Sequence, residues 1–121
     1  TELIFKGLNH KNVNLMDDGA ALRKYIYVND ALEMISNIML NGSHQVYNVG
    51  GLESISIKTL AESIAKHTGS TVEFGPAYNS LAGSPNEAGV NIQRYLNEFN
   101  ALEFTTINEG IEKCVEWAKL L

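Results

Sequence analysis

Two segments set one helix apart constrain the fold most, Leu22-Arg23-Lys24-Tyr25-Ile26-Tyr27-Val28 and Gln45-Val46-Tyr47-Asn48-Val49. Each is rich in aromatic and β-branched side chains, which suit a pleated, half-buried strand. Between them Leu32, Ile35 and Met39 recur at steps of three and four, the spacing of a buried helix face, and Gly42 supplies the stop. Asn29 is placed to cap that helix, with Asp30 just inside at the positive end of its dipole. A strand, a helix and a second strand ending in Gly50-Gly51 make an α/β unit.

The same reading extends along the chain. Residues 1–8 predict a helix that ends around Gly7, and Val13–Met16 a short strand turned by Asp17-Asp18-Gly19. Ser56 is positioned to cap a helix that buries Leu60, Ala61, Ile64 and Ala65 and stops at Gly69. Thr71–Phe74 predicts a strand, and Gly75–Gly89 a long loop of the kind that often carries function. Asn91 is expected to cap a helix through Phe99. Thr106 and Glu109 have capping-box spacing, and the helix they open places Ile107, Ile111, Cys114, Val115 and Ala118 on one stripe. The expected class is α/β, a small mixed sheet with alternating helices in one domain over residues 1–121.

Charge and cysteine usage narrow the function classes. A net charge of −5, with nine scattered Lys and Arg, opposes general nucleic-acid binding and offers no polybasic membrane patch. No apolar run approaches the roughly 20 residues that span a bilayer. The single Cys114 cannot form an internal disulfide, so a cytoplasmic location is the expectation. His10, His44 and His67 lack metal-ligand spacing to one another or to Cys114, and no metal is expected. The chain opens straight into Leu3-Ile4-Phe5 without an initiating methionine. That suits the tail of a helix whose start has been cut away, as methionine removal before Thr1 also does.

Arg23 is the first candidate for chemistry, because a guanidinium stays charged and can grip two phosphate oxygens in parallel. The alternative is a solvated arginine at a strand edge. None of the five tyrosines is followed four residues later by lysine, so none has the partner that would make it a general base. Gly50-Gly51 is not part of a Gly-x-Gly-x-x-Gly loop and reads as a tight turn. Cys114 reads as a small core residue. No catalytic and no cofactor-binding residue is assigned.

Taken in order, Val13–Gly19, Arg23–Asp30, Tyr47–Gly51, Ser56–Gly69 and Asn108-Glu109-Gly110-Ile111…Trp117 resemble the C-terminal part of nucleotide-sugar epimerases and dehydratases of the extended short-chain dehydrogenase type. The resemblance implies the C-terminal part of an extended Rossmann-type fold. It also implies a homodimeric parent that holds NAD in an N-terminal domain and acts on a nucleotide-diphosphate sugar. In that family the arginine opening the Arg-x-Tyr-Ile-Tyr-Val strand contacts the diphosphate, which is Arg23 here, and the Tyr-Asn-Val-Gly strand joins the edge of the large sheet.

Where many of these enzymes have Arg-Pro-Gly-Asp, this chain has Ser84-Pro85-Asn86-Glu87, so Ser84 offers a hydroxyl in place of a charge. Ser84 and Asn86 are the loop's candidate substrate contacts, Tyr78 could face the base or sugar, and Arg94 could replace the missing arginine. The implied role is substrate binding by a portion inactive alone. A free-standing ligand-binding module, an interaction domain with an exposed apolar face, and an unrelated enzyme built on Tyr25, Tyr27 or Cys114 stay open.

Overall fold

The structure, a computed structural model, describes residues 1–77, 85–99 and 103–121. In chain order its elements are α1 (Glu2–His10), β1 (Asn12–Asn14), β2 (Leu22–Lys24), α2 (Val28–Asn41) and β3 (Ser54–Ser56). There follow α3 (Ile57–Thr68), β4 (Thr71–Glu73), β5 (Glu87–Ala88), α4 (Gln93–Phe99) and α5 (Ile107–Ala118). The strands form two small sheets. β1 and β4 pair in parallel with Val13 opposite Val72, while β2 lies between antiparallel β3 and parallel β5.

Local chemistry fixes several ends as the sequence predicts. The Thr59 amide donates to the Ser56 side chain at 2.9 Å, and Gly69 takes φ 66°, the left-handed stop that a Cβ disfavours. Asn91 lies one position before the cap of α4, since the Leu96 amide donates to the Ile92 carbonyl, but its Oδ1 still accepts from the first helical amide, Gln93, at 2.8 Å. Thr106 and Glu109 form the full capping box, each side chain accepting from the other's amide.

Two boundaries differ from expectation. α1 runs through Gly7 to His10, because Gly7 is a contact and not a stop: a Cβ there would meet Thr68 Oγ1 of α3 at 2.7 Å. The cap position of α2 is Tyr27, without a side-chain bond, so Asn29 lies inside the first turn. Asp30 is buried and spends its carboxylate on Thr105, accepting from its amide and its hydroxyl at 2.8 Å each. This joins the start of α2 to the lead-in of α5.

Two apolar clusters hold the elements together. Ile4, Val13, Ala61, Ile64, Ile111, Val115 and Ala118 unite α1, β1, α3 and α5. Met34, Ile92 and Tyr95 join α2 to the α4 region, with Ile26, Ile38, Tyr47 and Phe99 around them. The predicted inner face of α2 is therefore corrected. Met34 is fully buried, whereas Leu32, Ile35 and Met39 are 56%, 42% and 79% exposed. The helix is apolar on two faces, and periodicity does not tell which one is covered.

The predicted second strand is also corrected: no ladder among the described residues includes Gln45–Val49. Its neighbours are side chains. Arg94 donates to the Val46 carbonyl at 2.5 Å, Asn48 Nδ2 to the Asn91 carbonyl at 2.9 Å, and Tyr47 reaches Glu98. The first strand is shorter than its pattern, ending at Lys24, since the β3 and β5 partners are themselves only three and two residues long.

Candidate functional site

Arg23 sits in the middle of β2, with Ile55 opposite on β3 and Ala88 on β5. Its guanidinium donates to the Leu22 carbonyl at 2.6 Å and to the Pro85 carbonyl at 3.1 Å. The Leu22 amide in turn donates to the Asn86 carbonyl at 2.7 Å. The pairing of β2 with β5 thus brings Arg23 and Asn86 close together. Glu87 is turned aside there, accepting from the Ser54 hydroxyl at 3.0 Å.

Tyr25 follows in the same strand. Burial pushes its phenol above the ordinary value of 10.0, and the positive Arg23 nearby pulls it part of the way back. The phenol therefore stays protonated at neutral pH. Tyr27 packs differently: Lys113 Nζ lies 5.1 Å from its ring centre, and Gly110 of α5 rests against the same ring.

Arg94 belongs to another group. It lines a shallow pocket with Ser43, His44, Asn97 and Glu98, and its guanidinium is turned to the Val46 carbonyl. There Glu98 accepts from the Tyr47 hydroxyl and from the Ser43 amide, the latter at 2.8 Å, and the His44 amide donates to the Tyr47 oxygen at 3.0 Å. These bonds hold the Glu98 carboxyl below its usual 4.5, the Tyr47 bond most of all. The structure does not bring Arg94 to Arg23 and Asn86. Tyr78 and Ser84 lie outside the described residues.

Sequence reasoning missed the Glu98 cluster and the Asp30–Thr105 tie. Their partners are 51 and 75 positions apart, and no periodicity carries such pairings. It also missed a cavity of about 680 Å³ between the two apolar clusters, walled by Tyr25, Tyr27, Ile55, Phe104, Ile107 and Ile111. Cys114 lines it as well, half-buried. Among the described residues no three His, Cys, Asp or Glu side chains gather as a metal would need, and no helix is long and apolar enough to cross a membrane.

No protein-family model matches the chain. A trifunctional UDP-glucose 4,6-dehydratase/UDP-4-keto-6-deoxy-D-glucose 3,5-epimerase/UDP-4-keto-L-rhamnose-reductase of Arabidopsis thaliana is 27% identical over 96% of this chain and 18% of its own length. The Bordetella bronchiseptica enzyme WbmF, solved with NAD+ and UDP, superposes with a TM-score of 0.81 at 26% identity, over 98% of this chain and 35% of WbmF. A dTDP-glucose 4,6-dehydratase of Bacillus anthracis, solved with NAD, gives 0.80 at 23% identity, over 98% of this chain and 38% of that one. The chain thus spans less than two fifths of the length of each relative. In sequence and fold together, it looks like the C-terminal part of an NAD-dependent nucleotide-sugar epimerase or dehydratase of the extended short-chain dehydrogenase type.

Proposed function

We infer that this chain is the nucleotide-sugar-binding portion of an NAD-dependent sugar epimerase or dehydratase, and that it is catalytically silent by itself. The observation that carries this reading is the near-complete superposition on enzymes of which it matches only 35–38%. Arg23 grips the diphosphate from β2, with Asn86 beside it; Tyr78 and Ser84, outside the described residues, are the further candidate substrate contacts. Tyr25, 39% exposed and protonated, supplies a hydrogen-bond donor to the sugar side of the cleft.

The Gly50-Gly51 pair does not fit the phosphates of NAD. Gly51 is pressed against the Tyr25 backbone, where a Cβ would stand 1.9 Å from the carbonyl oxygen, and Gly50 against Val90. Both glycines serve internal packing, and neither forms a phosphate cradle. In this reading NAD, the hydride step and the homodimer contact belong to the remainder of a cytoplasmic parent.

The test has two parts. The native gene product should have a mass roughly two to three times the 13.3 kDa of this chain, as an added nucleotide-binding domain requires. The 121-residue chain alone should neither reduce NAD in the presence of a nucleotide sugar nor bind NAD tightly. Its affinity for the sugar should be poor, since half a cleft is not preorganised. Epimerase turnover by the pure chain would overturn the assignment of silence.

A further inference from the structure

Residues 48–51 touch the chain on both sides of the Arg23 site. Gly51 is pressed against the backbone of Tyr25, two residues beyond Arg23. Asn48 Nδ2 donates to the Asn91 carbonyl at 2.9 Å and Gly50 lies against Val90, so the same segment holds the stretch that leaves β5. The segment is itself anchored, because Arg94 donates to the Val46 carbonyl and Tyr47 to Glu98 of α4. It thus braces the exit of β2 against the exit of β5.

The brace matters because the two strands meet only briefly. β5 is two residues long, and only Leu22–Glu87 and Arg23–Ala88 stand opposite each other. Such a ladder is shorter than ordinary strands and does not fix its own position. Arg23 is nevertheless aimed by what precedes β5. Its guanidinium donates to the Pro85 carbonyl at 3.1 Å, and the Asn86 carbonyl is held by the Leu22 amide at 2.7 Å. If β5 slides along β2 or lifts from it, the Pro85 carbonyl moves and the guanidinium turns with it.

We propose that Asn48 is a positioning residue for the phosphate grip of Arg23: through the Asn91 carbonyl, its side-chain amide keeps β5 seated on β2 and so sets the direction of the guanidinium. The proposal rests on the functional reading above, in which Arg23 holds the diphosphate. Asn48 acts through Arg23 and makes no ligand contact itself. An amide suits the role, since its NH2 donates to a carbonyl and adds no charge beside the phosphates.

The test is nucleotide titration of the full gene product, with UDP and with dTDP, using whichever binds the native protein more tightly. The variants are Asn48→Ala, Arg23→Ala, the two combined, and Val115→Ala. Asn48 is exposed and outside any helix or strand, so its truncation should fold. Asn48→Ser, which keeps a shorter donor, should fall between Asn48→Ala and the native protein. Val115 is buried in the cluster of α1, β1, α3 and α5, so Val115→Ala controls for lost stability alone.

Asn48→Ala should raise Kd roughly two- to tenfold, the range of one hydrogen bond. It should also speed hydrogen exchange at the Leu22 amide, which reports the seating of β5. In the Arg23→Ala background the same change should add nothing, whereas a general structural role adds to any background. Val115→Ala should lower Tm at least as much and leave Kd unchanged. An unchanged Kd in Asn48→Ala, an equal rise in Val115→Ala or an additive loss in the double variant would overturn the proposal and leave the reading of Arg23 in place. If Arg23→Ala binds as the native protein does, or the native protein binds neither nucleotide, the functional reading fails and the proposal with it.

Discussion

The Tyr47 hydroxyl donates to the Glu98 carboxylate across 51 positions of sequence, and the Ser43 amide donates to the same group at 2.8 Å. The loop leaving α2 is thereby fastened to α4. Both bonds favour the ionised carboxyl and hold it below 4.5, against the opposing effect of desolvation. A folded pKa below the unfolded one contributes stability that is complete above the unfolded value and lost as pH falls through the folded value. The decline of Tm below pH 4.5 should therefore be shallower in Glu98→Gln than in the native chain. Superimposable acid limbs would show that the carboxylate is not engaged in solution.

The two faces of α2 separate two methionines on one helix. Met34 is fully buried against Ile92 and Tyr95, and Met39 is largely in solvent. Met34→Ala should cost about 2–5 kcal/mol in urea denaturation, from lost transfer energy and the cavity left behind. Met39→Ala should stay within about 0.5 kcal/mol, as surface changes do. Equal costs would mean that the isolated chain covers the outer face of α2.

This same helix shows how far the sequence was legible. Its existence, its stop at Gly42, the caps at Ser56 and Thr106 and the Asn91 bond to Gln93 all come from interactions spanning two to four residues, which local patterns record. Which apolar face of α2 is buried depends on α4, more than fifty residues later, and the pattern of α2 alone holds no such information. The Gln45–Val49 segment fails for a related reason: β-propensity reports a surface that suits pairing, and the described residues provide no strand to pair with. Arg23 stood out in the sequence because its strand has a recognisable opening, and Asn86 because of its loop position; that the two lie near each other, and that Arg94 engages Val46, depends on tertiary geometry.

Asp30 offers a sharper test of the tie between α2 and α5. Its two oxygens accept from the Thr105 amide and hydroxyl in a buried setting. Asp30→Ala strands a partly buried amide and should cost about 1–3 kcal/mol by urea denaturation. Asp30→Asn keeps one acceptor and should cost less. Thr105→Val, which removes the hydroxyl and leaves the amide, should fall below Asp30→Ala. An Asp30→Ala variant of native stability would mean that water replaces the carboxylate at no cost.

Arg23 and Arg94 are both arginines on the same face of expectation, and the structure assigns them different surroundings. Arg23 lies in the central strand β2 beside Pro85 and Asn86, while Arg94 is turned to the Val46 carbonyl within the Glu98 cluster. A charge-assisted contact to a phosphate is worth about 1.5–3 kcal/mol, so in an enzyme carrying this chain Arg23→Ala should raise KM for the nucleotide sugar roughly tenfold or more. Arg23→Lys should fall between, keeping the charge and losing the two-pronged grip. Arg94→Ala should loosen the loop at Val46 and lower Tm, with a smaller effect on KM. The reverse order, with KM rising more for Arg94→Ala, would move the phosphate grip to α4 and require the Val46 bond to break when substrate binds.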